Sequence, residues 1–67
     1  MNEKKVKLNL EGLDGNAFAL MGAFQRAARN QGWIKSEIEK VLNKCTNGNY
    51  DNLICTLIDN TEREEDE

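Results

Sequence analysis

The chain has 67 residues, two cysteines, no histidine and a net charge of −3. A chain this short forms one domain and buries only about 60% of the surface its unfolded form exposes, so a small fold of this kind gains from a disulfide, a metal or a partner subunit. No histidine is present to serve as base or ligand, neither cysteine has a second one two residues away, and no apolar run is long enough for a signal peptide or a membrane span. The composition therefore predicts a cytoplasmic protein with reduced thiols, no cofactor and no metal, for which a partner subunit is the available source of extra stability.

The charge is concentrated at one end. Residues 62–67 carry five acids and one base, whereas residues 1–61 carry eight bases and seven acids. The low pI thus belongs to the tail, and a single domain over 1–61 is close to neutral. With no apolar side chain to bury, residues 62–67 read as a disordered acidic tail.

In chain order, Lys4 to Leu10 alternates strictly, with Val6, Leu8 and Leu10 on one face and Lys5, Lys7 and Asn9 on the other. This is the period of a half-buried strand. No second segment repeats it, and a lone strand leaves its backbone groups open to another chain. The alternation predicts either pairing across a homodimer through this strand or an extended arm packed on helices, with Lys5, Lys7 and Asn9 at the interface in the first case.

Gly12 and Gly15 give the following turn its freedom, and Asp14 is placed to cap a helix beginning near Gly15. Ala17, Leu20, Met21, Phe24, Ala27 and Ala28 recur at helical spacing, Phe18 widens that stripe, and Gln25, Arg26, Arg29 and Asn30 fall on the wet side. Gly22 inside the helix costs about 1 kcal/mol relative to alanine, which predicts a close approach on its face. Gly32 ends the helix, and Trp33 folds back on the last turn or anchors an interface beside Arg29 and Lys35.

Ser36 to Glu39 has the spacing of a capping box and opens a second helix with Ile38, Val41, Leu42 and Cys45 on its inner face. Thr46 to Asn49 stops it. A third helix follows, with Tyr50, Leu53, Ile54, Leu57 and Ile58 on one stripe; the β-branched residues would permit a strand, but the 3.6-residue period favours helix. Cys45 is a core thiol, and Cys55 lies just off the third stripe. The fold class that follows is α+β, mainly α, in the order β-α-α-α.

Several motifs fail on inspection. The glycine turn lacks the lysine and serine or threonine of a P-loop and the third glycine of a dinucleotide fingerprint, and Asp14 would repel phosphate. A calcium loop around Gly48 would place Cys45 and Ile54 at ligand positions. Asp14, Glu11 or Cys55 could do acid–base or nucleophilic work only with a base that no motif positions, so no catalytic residue is assigned.

Between Phe24 and Asn43, however, Ala28, Gly32, Ile38 and Val41 fall where a helix-turn-helix has its small residue, turn glycine and two core positions. Arg26, Arg29, Lys35, Ser36 and Lys40 would then meet nucleic acid. Glu37, Glu39, the acidic tail and the polar Gln31 oppose this, and two antiparallel helices joined by Gly-Trp explain the same spacing.

The run from Val6 through Gly12-Leu13-Asp14-Gly15-Asn16-Ala17-Phe18 and Met21-Gly22-Ala23-Phe24, followed by Arg26, Arg29, Gly32-Trp33 and Gly48-Asn49-Tyr50-Asp51, resembles small proteins carried by bacteriophages and bacterial genomes. Ile34 departs from the polar cap expected after the tryptophan, which moves the expected helix start to Ser36. The resemblance implies a phage or prophage accessory protein and carries over no functional residue. The expected function is a non-catalytic protein-interaction module, with the strand edge, Trp33 and the tail as contacts; the alternative is a small DNA-binding regulator.

Overall fold

The computed structural model describes residues 5–10 and 12–62. The order is β1 (Val6–Lys7), α1 (Ala17–Asn30), α2 (Lys35–Cys45), α3 (Tyr50–Asp59) and β2 (Thr61–Glu62). Three helices pack around Leu20, Phe24, Ala28, Ile38, Val41, Cys45, Leu53 and Leu57, and Val6 closes this core from the strand side. The predicted β-α-α-α framework is present, with a second short strand added after it.

That strand corrects the expectation of an unpartnered N-terminal strand. β1 pairs in parallel with β2, Val6 opposite Thr61 and Lys7 opposite Glu62. The Val6 amide donates to the Asn60 carbonyl and the Leu8 amide to the Glu62 carbonyl, each at 2.9 Å. The three helices form the long crossover that parallel strands require. At two residues, β2 is too short to show a period-2 pattern. Glu62 is therefore part of the fold rather than of a disordered tail, and the remaining tail, residues 63–67, lies outside the described residues, as does Lys4 of the expected strand.

The other edge of β1 is also used. The Lys7 amide donates to Gln31 Oε1 at 2.8 Å, and Gln31 Nε2 donates to the Lys7 carbonyl at 2.9 Å. One side-chain amide thus supplies the donor and acceptor that a neighbouring strand would have offered. Gln31, whose polarity looked out of place at the end of a helix, is the residue that ties α1 to the strand.

Helix ends follow local hydrogen bonding. Asn16, not Asp14, caps α1: its side chain accepts from the Phe18 amide at 2.8 Å, while Asp14 accepts from the Asn16 amide one step earlier. At the other end Gly32 takes φ +94°, which glycine adopts without a side-chain penalty. The Trp33 amide can then reach back to the Ala28 carbonyl at 3.0 Å, as in a Schellman cap. The Trp33 ring packs edge-on against Phe24, centroids 5.6 Å apart.

The box expected at Ser36–Glu39 is displaced by two residues. α2 starts at Lys35 after Ile34, and Glu37 Oε1 accepts from the Ile34 amide at 3.1 Å. Isoleucine has no side-chain oxygen to complete the reciprocal bond, so half the motif forms. Asn49 caps α3, and the Asn52 amide side chain donates to the Lys44 carbonyl at 2.7 Å, which joins the two helices at their turn.

Two α1 expectations are also corrected. Among the described residues, nothing apart from the neighbouring residues and backbone of the helix itself comes within 4 Å of a Cβ placed on Gly22, and Phe18 is 82% exposed rather than part of the packed stripe. Both lie on an open face of the helix.

Two predictions follow from this packing. Gln31→Ala should lower the unfolding free energy by about 1–2 kcal/mol, two partly exposed hydrogen bonds' worth, and hydrogen exchange at the Lys7 amide should accelerate selectively; denaturant unfolding and exchange NMR measure these. Cys45 is buried and Cys55 exposed, both as free thiols, so a thiol reagent should label one site in the native protein and the second only on unfolding. Burial pushes the Cys45 thiol above its ordinary value of 9.0. The unfolded chain loses this proton first, so stability should fall as pH rises past that value, and Cys45→Ala should flatten the decline.

Candidate protein-binding groove

The alternation of the N-terminal segment splits on folding. Val6 enters the core completely, whereas Leu8 and Leu10 are only partly buried. The apolar stripe of α3 splits too. At about 100° per residue the five apolar positions cover an arc of about 140°, wider than one core contact needs. Leu53 and Leu57 occupy the core, and Tyr50, Ile54 and Ile58 form a second row, four residues apart, facing elsewhere.

These two half-used surfaces meet. Leu8, Leu10 and Leu13 on one side and Tyr50, Ile54 and Ile58 on the other line a groove of about 550 Å³. Leu20 of α1 is buried beneath it, and Thr61 and Glu62 of β2 also contribute. The Tyr50 hydroxyl donates to the Gly15 carbonyl at 2.5 Å, which joins the start of α3 to the glycine turn. Thr61 is buried and its hydroxyl donates to the Leu57 carbonyl at 2.8 Å, so the β2 end is also held. The volume lies in the range of ligand-binding clefts.

The groove holds little charge. Glu62 lines it, and no described lysine or arginine does; Asp14, Asp51 and Asp59 adjoin lining residues in sequence, as does Lys7. The bases of the described residues lie on the N-terminal segment, the C-terminal half of α1 and α2.

The site residues expected from sequence are dispersed relative to this groove. Asn9 lines it; Lys5 and Lys7 are exposed on the same segment, with the Lys7 backbone bonded to Gln31. Trp33 is 9% exposed and packs against Phe24, which leaves little of it for a partner. Arg29 and Lys35 share one surface depression with Gln25, and Ser36 and Lys40 share another with Lys44. Arg26 stands on the open face of α1 beside Gly22. Lys35 Nζ lies 3.9 Å from Glu39, a solvent-exposed pair of the kind that contributes little.

Leu13, Tyr50, Ile54 and Ile58 were missed as site residues, and the excess width of the α3 stripe was the available signal. Among the described residues no three acidic, cysteine or histidine side chains converge to hold a metal ion, and no helix is long and apolar enough to cross a membrane. No family model, curated protein or solved structure matches the chain at a significant level.

Proposed function

We propose that the protein is a non-catalytic interaction module whose groove between residues 8–15 and α3 receives an apolar segment of another protein chain. The observation that carries this reading is the exposure of Leu13, Tyr50 and Ile58, which together border one continuous apolar concavity. Scattered apolar residues on a surface need no explanation, whereas a contiguous apolar concavity marks a binding surface. The resemblance to small phage and prophage proteins fits an accessory role of this kind, carried out in the cytoplasm.

Selection of binders from a random dodecamer display library on the wild-type protein provides the test. The selected peptides should carry apolar anchors and should bind Ile58→Lys and Leu13→Lys at least about tenfold more weakly, a loss of ~1.4 kcal/mol. Both side chains are exposed, so circular dichroism should show an intact fold. Equal affinity for the wild-type and variant proteins would remove the groove as the binding site.

A second reading rests on a separate observation. Ala28, Trp33, Ile38 and Val41 are all buried around the left-handed Gly32, the packing a helix-turn-helix needs, and Lys35, Ser36 and Lys40 are exposed on α2. If this face binds duplex DNA through about four phosphate contacts, affinity should fall about a hundredfold between 50 and 200 mM salt. Absence of binding at 50 mM salt, with and without residues 63–67, would exclude it.

A further inference from the structure

The packing of the chain gives Gly22 no purpose. Glycine inside a helix is destabilising relative to alanine, and apart from the helix itself nothing among the described residues comes within 4 Å of a Cβ built there. Around it lies a surface depression of about 570 Å³, lined by Gly22, Gln25, Arg26, Arg29 and Asn30. Helical side chains lean toward the N-terminus, so those of residues 25, 26 and 29 reach back over the turn that Gly22 leaves open.

Every side chain lining this depression is polar, two are cationic and none is acidic. α1 itself contains no acid, and among the described residues neither Arg26 nor Arg29 is in an ion pair. Glu39 borders the neighbouring depression, which shares Gln25 and Arg29, and there Lys35 Nζ lies 3.9 Å from it. Two exposed guanidiniums beside a glycine notch offer the planar forks of donors that hold phosphate oxygens in pairs.

Phe18 adds what a bare anion would not need. It is 82% exposed and stands one turn before Gly22. At about 100° per residue, Phe18, Gly22, Gln25, Arg26 and Arg29 fall within an arc of about 100°. A solvent-facing aromatic ring next to two guanidiniums joins a stacking platform to a phosphate-binding surface, the combination that holds single-stranded nucleic acid. A duplex hides the faces of its bases, and an acidic peptide would engage the arginines alone; both would leave the ring unused.

We propose that this face of α1 binds single-stranded nucleic acid, with a phosphate group entering the Gly22 depression between Arg26 and Arg29 while a neighbouring base stacks on Phe18. The surface is independent of the groove, since Leu20 beneath the groove lies about 200° around α1 from Phe18. It also differs from the helix-turn-helix reading, which uses α2 and a duplex. Every base has a face to stack, so the binding tolerates sequence.

Fluorescence anisotropy of a labelled oligothymidylate dodecamer with the full chain provides the test. At about 50 mM salt binding should saturate below ~100 μM protein, and affinity should fall about sevenfold by about 200 mM, the dependence of two phosphate contacts on a single strand. An abasic oligomer with the same phosphates should bind at least about fivefold more weakly, and Phe18→Ala should weaken the thymidylate by a similar factor while leaving the salt slope unchanged. Arg26→Gln and Arg29→Gln should each lower that slope by about 0.7. Gly22→Leu should raise the melting temperature, as a better helix former, and yet weaken binding; a purely structural role for this position would not move the two in opposite senses.

No anisotropy change with ~100 μM protein at about 50 mM salt, equal affinity for the abasic oligomer, or indifference to Phe18→Ala would each overturn the proposal. So would a duplex that binds more tightly than the single strand and responds to Lys35→Gln and Lys40→Gln instead, which would support the α2 reading. Displacement by polyglutamate that is itself bound without regard to Phe18 would assign the face to an acidic protein segment and overturn it as well.

Discussion

The arrangement depends on how the N-terminal segment is held across the helices. Val6 to Leu8 is bonded on one edge by the backbone of Asn60 and Glu62 and on the other by the side-chain amide of Gln31. This places a strand formed early in the chain between the end of α1 and the end of α3, so both termini of the fold are fixed by the same few hydrogen bonds. Val6 then seals the core with no exposed surface, and the residues after it continue toward α3. That direction brings Leu8, Leu10 and Leu13 opposite α3, and the groove is the consequence.

A core this small limits what can be covered. Phe24 and Leu57 are completely buried, and Trp33 closes the α1–α2 corner against Phe24. Three helices and one strand share that centre, which leaves the outer row of α3 and the end of the N-terminal segment without a layer above them among the described residues. A larger domain would add an element there. Here Tyr50 and Ile58 remain exposed while Tyr50 spends its hydroxyl on the Gly15 carbonyl, so the border of the groove is ordered without being filled. A preformed concavity avoids part of the ordering cost that a flexible surface incurs on binding.

The helices were legible because their signals are local and periodic. Leu20, Phe24 and Ala28, then Ile38, Val41 and Cys45, keep the 3.6-residue spacing and all prove buried. Two elements escaped because their causes are not local. β2 is two residues long and exists only because β1 lies beside it. Gln31 belongs to the fold through a contact with a residue 24 positions away, which no window of sequence displays. The groove failed to register for a related reason: a stripe of five apolar residues reads as core until three dimensions show that only Leu53 and Leu57 are buried in it, with Ile54 at its edge. Phe18 made the same point in reverse, since an aromatic beside a helical stripe looks like part of it, and its position on the far side of the helix from Leu20 left it in solvent.

Charge completes the picture, and its distribution matters more than its sum. The near-neutral balance of residues 1–61 suggests a surface without electrostatic character. In the folded chain Arg26 and Arg29 stand on a helix with no acid, while the apolar groove is lined by one charged residue among those described, Glu62. Folding therefore sets the arginines of α1 apart from a groove that is almost uncharged. Exposed charges contribute little to stability, so this separation is not a stabilising device of the fold. What separated charges do at a surface is orient an approaching partner and reject one of the wrong sign. Glu62 at the groove's edge therefore disfavours an anionic segment relative to a neutral one of equal hydrophobicity, and the apolar lining sets how deeply a segment is held once it arrives.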